Sequence, residues 1–255
     1  MKIHFLGTGT SQGVPVIGST HPVCLSKDPK DKRLRSSILI EKDGKIFLID
    51  CGPDFRYQML RGGYTRVDVI LLTHEHNDHT AGLDDVRPIN FMMQNTLPIY
   101  SLPRVLDKIK QRFAYFFSGE RYPGAPDIIL HGIEAGQTEF IGGVEILPLG
   151  VWHGNLFILG YRMGRFAYIT DVSMLPEETL QKLEDLDLLV LNALRRTPRH
   201  PSHFTLSEAL EIVTRLHPRQ TYLTHISHLL GFHMEVVRAL PTDVHLAYDG
   251  LNLIL

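Results

Sequence analysis

The sequence predicts an α+β fold in which two mixed β-sheets pack face to face and helices cover the outside. Two observations predict it. Short runs of β-branched and aromatic residues, bounded by turn residues, recur in both halves of the chain. Stretches with helical spacing of apolar residues lie between these runs. With 255 residues, 44% of them hydrophobic, the chain is long enough to bury one core, so residues 1–255 are expected to form a single domain.

The expected strands come first. Residues 2–6 end in Gly7-Thr8-Gly9-Thr10. Residues 36–41 and 45–49 form a hairpin joined by Lys42-Asp43-Gly44, because Asp-Gly favours a tight primed turn. Residues 67–72 are apolar throughout, as in a strand buried on both faces. Residues 144–149, 157–162, 166–169, 186–191, 221–223 and 244–246 share this grammar, with Met163-Gly164-Arg165 as a turn. Helices are expected at 104–117, where Val105, Ile109, Phe113 and Phe116 make an apolar stripe. A second starts at Pro176 and runs to 186. A third spans 206–216, where Thr205 and Glu208 form a capping box.

Bulk properties exclude several functions. A formal net charge of −2 provides no basic field for a polyanion, which weighs against a nucleic-acid partner. Two cysteines, Cys24 and Cys51, make no disulfide framework. No run approaches the ~18 apolar residues of a membrane span, and the first residues do not read as a signal peptide. A cytoplasmic protein is expected. The unusual count is 14 histidines, the residue most often used as a metal ligand.

Their placement carries the chemistry. The apolar run Val69-Ile70-Leu71-Leu72 leads directly into Thr73-His74-Glu75-His76-Asn77-Asp78-His79. Four ligand-type side chains, His74, His76, Asp78 and His79, fall within six residues. A buried strand that delivers them onto one loop serves no packing purpose. On a continuing strand, His74, His76 and Asp78 would share a face; at a turn into a helix they would split between two adjacent ions. Imidazole and carboxylate together suit zinc, manganese or iron.

At these residues the chain resembles the metallo-β-lactamase superfamily, an αββα sandwich, over nearly its whole length. The other metal residues of that family follow strands in a fixed order, and each has a match: Asp50, His153, Asp171 and His225. The resemblance implies that His74, His76 and His153 hold one divalent ion. Asp78, His79 and His225 would hold a second, and Asp171 would bridge both. Asp50 would fix the ligand loop by hydrogen bonds. Two such ions, zinc or manganese, lie ~3.5–4 Å apart in sites of this type and activate water for attack. Phosphodiesters, thioesters and lactones are all open to that machinery.

Three motifs narrow the substrate: Gly7-Thr8-Gly9-Thr10-Ser11-Gln12-Gly13-Val14-Pro15-Val16, Leu223-Thr224-His225-Ile226-Ser227-His228, and Ala247-Tyr248-Asp249-Gly250. They resemble the PhnP-like phosphodiesterases of the carbon–phosphorus lyase pathway. That likeness implies a small cyclic or ribosyl phosphodiester as substrate. It also implies a histidine that assists the phosphoryl or leaving group, matched by His203 two residues before the Thr205 cap. The catalytic expectation falls on His203 and on Asp78; His200 is left out. A homodimer is expected by the same analogy. The alternatives are an RNA-processing nuclease of the ribonuclease Z type and a thioester or lactone hydrolase.

The subgroup often carries a third, structural zinc. Here Ser19 and His21 stand where two of its cysteines would, leaving His21, Cys24 and His228. Structural zinc sites close with four protein ligands, so this set is one short. Arg33 and Arg35 have guanidinium groups of suitable geometry for a phosphate, but a solvated loop before a strand is the favoured reading. Trp152 and the aromatic run 113–117 are expected as wall, core or subunit contact.

Overall fold

The computed structural model describes residues 1–118 and 124–255. Along the first half run β1 (Lys2–Gly7), α1 (Pro22–Leu25), β2 (Ser37–Lys42), β3 (Lys45–Ile49), α2 (Phe55–Gly62), β4 (Val69–Leu71), α3 (Asn77–Thr80), α4 (Arg87–Met93), β5 (Leu97–Ser101), α5 (Pro103–Arg112) and β6 (Ile128–Gly132). The second half adds β7 (Glu139–Ile141), β8 (Val144–His153), β9 (Leu156–Met163), β10 (Phe166–Ile169), α6 (Glu177–Gln181), β11 (Leu188–Asn192), α7 (Leu206–Leu216), β12 (Gln220–Thr224), α8 (His233–Ala239), β13 (Val244–Leu246) and β14 (Asn252–Ile254).

Among the described residues these strands form two seven-stranded sheets, ordered β14-β1-β2-β3-β4-β5-β6 and β13-β12-β11-β10-β9-β8-β7. Period-two alternation explains why both faces of each sheet are apolar. Ile38, Ile40, Phe47, Ile49, Val69 and Leu71 of the first sheet meet Tyr161, Phe166, Tyr168, Leu188 and Val190 of the second in a central cluster. The intervening residues Leu39, Leu48 and Ile70 turn outward and pack with Phe55 of α2, Ile89 of α4 and Ile109 of α5. On the far side, Ala167, Ile169, Leu189 and Leu191 pack with Leu180 of α6, Ala209 of α7 and Val236 of α8. The result is the expected αββα sandwich.

The two sheets mix parallel and antiparallel pairing. β3 and β4 are parallel, as are β10, β11 and β12. Parallel neighbours end at the same edge, so the residues after β3, β4, β10 and β12 come out together.

Several boundaries move. The strand expected at 67–72 is Val69–Leu71 only, because the chain leaves the sheet to present His74. β8 extends beyond 149 to His153, which ends the strand rather than following it. The helix expected at 176–186 is Glu177–Gln181. The helix expected at 104–117 stops at Arg112, and a 3₁₀ turn, Ala114–Phe116, folds Phe116 back into the core. Tyr115 and Phe117 stay partly exposed, so the aromatic run is core on one side only. β5, β6, β7, β14, α1, α2, α4 and α8 fall where the sequence reading gives no element.

No helix of the described residues is long and apolar enough to cross a membrane.

Candidate metal centre

The ligand loop is built on three strand ends with unusual backbone. Asp50 and His225 directly follow β3 and β12, Asp171 stands two residues past the end of β10, and the three have φ of 63°, 54° and 55° respectively. Left-handed backbone is uncommon for any residue with a side chain, though Asp and His tolerate it better than most. It turns each side chain sharply off its strand into one space. Gly52 lets the opposing loop approach: a Cβ there would sit 2.0 Å from the Asp78 carbonyl.

Three groups of side chains bring one ligand atom each to within 4.8 Å of one another: His74, His76 and His153; Asp78, His79, Asp171 and His225; and His153, Asp171 and His203. All seven expected metal residues lie in the first two groups. The third puts Asp171 beside His153 and brings in His203. His79 Nε2 is 3.2 Å from both Asp78 Oδ2 and Asp171 Oδ2. His225 Nε2 is 3.0 Å from Asp171 Oδ1 and 3.8 Å from Asp78 Oδ2. Yet His79 Nε2 and His225 Nε2 are buried and make no hydrogen bond. Buried polar atoms that converge without hydrogen-bonding one another fit a cation between them.

The Nδ1 atoms of His79, His153 and His74 are tied back. Asp50 accepts from His79 Nδ1 at 2.6 Å and from Thr73 N at 2.8 Å, so it orients the loop without joining the ligand groups. The Ser202 carbonyl accepts from His153 Nδ1 at 2.7 Å. His74 Nδ1 lies 2.9 Å from Thr73 Oγ1. Such partners fix ring orientation; His79 Nε2 is left without a partner, while His74 Nε2 lies 2.9 Å from His76 Nδ1.

The electrostatics follow from burial and proximity. Burial works against the charged form of His79, but Asp78, Asp171 and Asp50 outweigh it and hold its pKa well above the ordinary imidazole value. The same contest, with Asp171 and Asp78 against burial, raises His225 to about 9. Burial opposes the ionised Asp171, yet His225 and His79 hold it well below the usual carboxylate range. Burial likewise opposes the ionised Asp78, and His79 and His225 keep it low. Without a cation, protons on two imidazoles would balance the carboxylates. A cation would take over that role and release them. His74 goes the other way: burial, and then His79, depress it well below its ordinary value.

His203 sits at the rim, 9% exposed. Its ring centroid lies 4.6 Å from that of His153 and 4.8 Å from that of His225. Its Nδ1 is 3.7 Å from Asp171 Oδ1 and has no hydrogen-bond partner. Burial, reinforced by His225, pushes its pKa down to about 2, so the resting ring is neutral. Beyond it opens a cleft of about 530 Å³ lined also by Met174, Arg199 and His200. His200, set aside in the sequence, therefore borders the site, its ring 4.9 Å from that of His203.

The remaining expectations separate. His21 and His228 have ring centroids 4.9 Å apart. Cys24, however, packs with Val14 and Val23, and His21 Nδ1 accepts from Val23 N as a helix cap. The three do not appear among the convergent groups of the described residues. Arg33 is neither a phosphate contact nor solvated: it is 5% exposed, and its guanidinium donates to Thr8 Oγ1, the Ala247 carbonyl and His233 Nδ1. Arg35 pairs with Asp54 at 3.1 Å. Trp152 packs on Phe157 at 5.3 Å between centroids. Sequence reasoning missed Arg104 and Arg112, which grip the ligand loop from α5. Arg104 pairs with Glu75 and donates to the Phe157 carbonyl at 2.6 Å, while Arg112 donates to Thr80 Oγ1 at 2.6 Å. Their spacing along α5 carried no signal of a partner 29 residues away.

A two-sheet sandwich with such His/Asp groups at its strand ends defines a class, the metal-dependent hydrolases. The family model for the beta-lactamase superfamily domain matches residues 45–226, and the chain belongs to that superfamily. Within it the chain is PhnP-like. The crystal structure of a diphosphatase from the PhnP family is 41% identical and superimposes with a TM-score of 0.92, covering 100% of this chain and 97% of that one. An octanoyltransferase of Porphyromonas gingivalis is 41% identical over 256 residues, 100% of this chain and 52% of its own length. A ribonuclease Z of Bradyrhizobium diazoefficiens is 30% identical over 157 residues, 60% of this chain and 47% of its own. The chain spans about half the length of these curated relatives.

Proposed function

We propose that this protein is a binuclear metal-dependent phosphodiesterase that hydrolyses a P–O bond of a small cyclic or ribosyl phosphodiester. The observation that carries the reading is His203, whose unpartnered Nδ1 lies 3.7 Å from Asp171, the carboxylate common to two ligand groups. His74, His76 and His153 would hold one zinc or manganese ion, Asp78, His79 and His225 the other, with Asp171 between them. Bound there, the two ions lower the pKa of water toward neutrality and neutralise charge on the phosphoryl oxygens.

The chain's own residues do the rest. Asp50 and the Ser202 carbonyl keep His79 and His153 oriented. His203 is neutral at rest because burial opposes its charge, so it donates a hydrogen bond to a phosphoryl or leaving oxygen. An approaching anionic phosphate raises its proton affinity, so the ring takes up a proton from solvent and, as imidazolium, passes that proton to the departing alkoxide and returns to its neutral form. The likeness to a PhnP-family diphosphatase supports phosphoryl chemistry and extends the candidates to diphosphate bonds.

A second reading has its own observation: a curated relative that matches the whole chain over 52% of its own length is named for octanoyl transfer, which brings in an acyl substrate such as a thioester. The two are separated by incubating metal-loaded protein with bis(p-nitrophenyl) phosphate, a cyclic nucleotide, an octanoyl thioester and a structured transfer RNA. Turnover of the small diesters is expected. Turnover of the thioester alone, or of the RNA alone, would refute the proposal.

A further inference from the structure

The site imidazoles differ in what holds them. His74, His79 and His153 each have Nδ1 against an oxygen, of Thr73, Asp50 and Ser202 respectively. His225 Nδ1 is buried and has no hydrogen-bond partner. Its ring direction must come from its backbone, which sits in the left-handed region at φ 54°. That conformation is uncommon for a residue with a side chain and persists only where the surroundings impose it.

The next residue is locked from both sides. Ile226 N donates to the Thr8 carbonyl at 2.9 Å, and Thr10 N donates to the Ile226 carbonyl at 3.1 Å. Gly9 forms a parallel bridge with Ile226. Thr8 is in turn fixed by Asp249, whose Oδ1 accepts from Thr8 N at 2.9 Å and from Thr8 Oγ1 at 2.8 Å. Asp249 Oδ2 accepts from Leu34 N at 2.8 Å. From the other side, buried Arg33 donates to Thr8 Oγ1 at 2.8 Å and to the Ala247 carbonyl at 2.6 Å. The glycine-rich N-terminal run, the segment around His225 and the C-terminal Ala247-Tyr248-Asp249-Gly250 are thus one connected structure.

We infer that Thr8, Asp249 and Arg33 are positioning residues for His225, acting through the pinned backbone of Ile226. The inference rests on the reading of His225 as a ligand of one ion of the pair. It predicts an uneven effect: loosening Thr8 frees His225 but leaves His74 and His153, whose Nδ1 atoms have their own anchors.

The test uses the full chain with Thr8→Val, Asp249→Asn and, as the conservative control, Thr8→Ser. Zinc titration against a competing chelator, well below the unfolding temperature, should show one of two sites weakened about tenfold in Thr8→Val and Asp249→Asn. That is the low end for removing a partner that orients a ligand. The other site should stay within about twofold, and Thr8→Ser should restore most of the loss. Equal weakening of both sites, or a lower melting temperature with both affinities intact, would overturn the inference. Hydrogen exchange of the Ile226 amide in metal-free protein is the second arm. Protection should fall about tenfold in Thr8→Val and Asp249→Asn; unchanged protection overturns the inference. If wild-type protein binds no pair of ions, the functional reading fails, and the exchange arm still decides whether Thr8 and Asp249 hold this backbone.

Discussion

At the residue scale, each site side chain has a separate physical reason for its position. Asp50 joins two segments by accepting from both His79 and Thr73. Asp50→Asn should weaken metal binding by about 10–100-fold, the usual cost of losing a partner that orients a ligand. A chelator titration checks it. His203 touches no tethering group at Nδ1, so His203→Ala should leave metal content unchanged and lower kcat on a phosphodiester by about 100-fold or more. Equal loss of metal and activity would show that it acts as a ligand instead. Residue types were legible in the sequence here: a buried strand running into His74-Glu75-His76-Asn77-Asp78-His79 has few other uses. Backbone shape was not. Nothing in the composition shows that Asp50, Asp171 and His225 adopt positive φ, because that conformation is imposed by neighbours distant in sequence. Arg33 was misjudged for the same reason: its partners Ala247 and His233 lie 214 and 200 residues downstream.

At the element scale, α7 places His203. Thr205 accepts from Glu208 N, and Glu208 Oε2 accepts from Thr205 N at 2.9 Å, so the capping box read from the sequence is present. Thr205→Ala should cost about 1 kcal/mol of stability, measured by denaturant unfolding. It should also lower kcat, because the cap fixes the start of the helix two residues after His203. Elements with local grammar were legible: the Asp43-Gly44 hairpin, the β9–β10 turn and the α7 cap depend on contacts a few residues apart. β5 and β6 escaped because Leu97–Ser101 and Ile128–Gly132 are short, and each pairs only with strands distant in sequence. The end of α5 escaped because tertiary packing of Phe116, not a breaker residue, terminates it.

At the scale of the whole molecule, the buried histidines predict how stability varies with pH in metal-free protein. His79 and His225 are raised in the fold, His225 to about 9. Their stabilisation is complete below the unfolded value of about 6.5 and is lost as pH rises through about 9. His203 and His233 are depressed, to about 2 and about 4, chiefly by burial. Below about pH 6.5 the unfolded chain binds protons that the fold refuses, so stability falls again as pH drops. The melting temperature of metal-free protein should therefore peak near pH 6.5. Metal should remove most of the alkaline loss, since the ligands must be neutral imidazoles. A melting temperature that climbs steadily to pH 9 without metal would contradict these protonation states.

The central claim is that seven side chains from four chain segments gather around two divalent cations. Elemental analysis of metal-replete, dialysed protein tests it most directly. The account predicts two zinc or manganese ions per chain in wild type, and fewer in Asp171→Ala, which removes the carboxylate shared by the ligand groups. Fewer than one ion per chain in wild type, or two retained in Asp171→Ala, would contradict it.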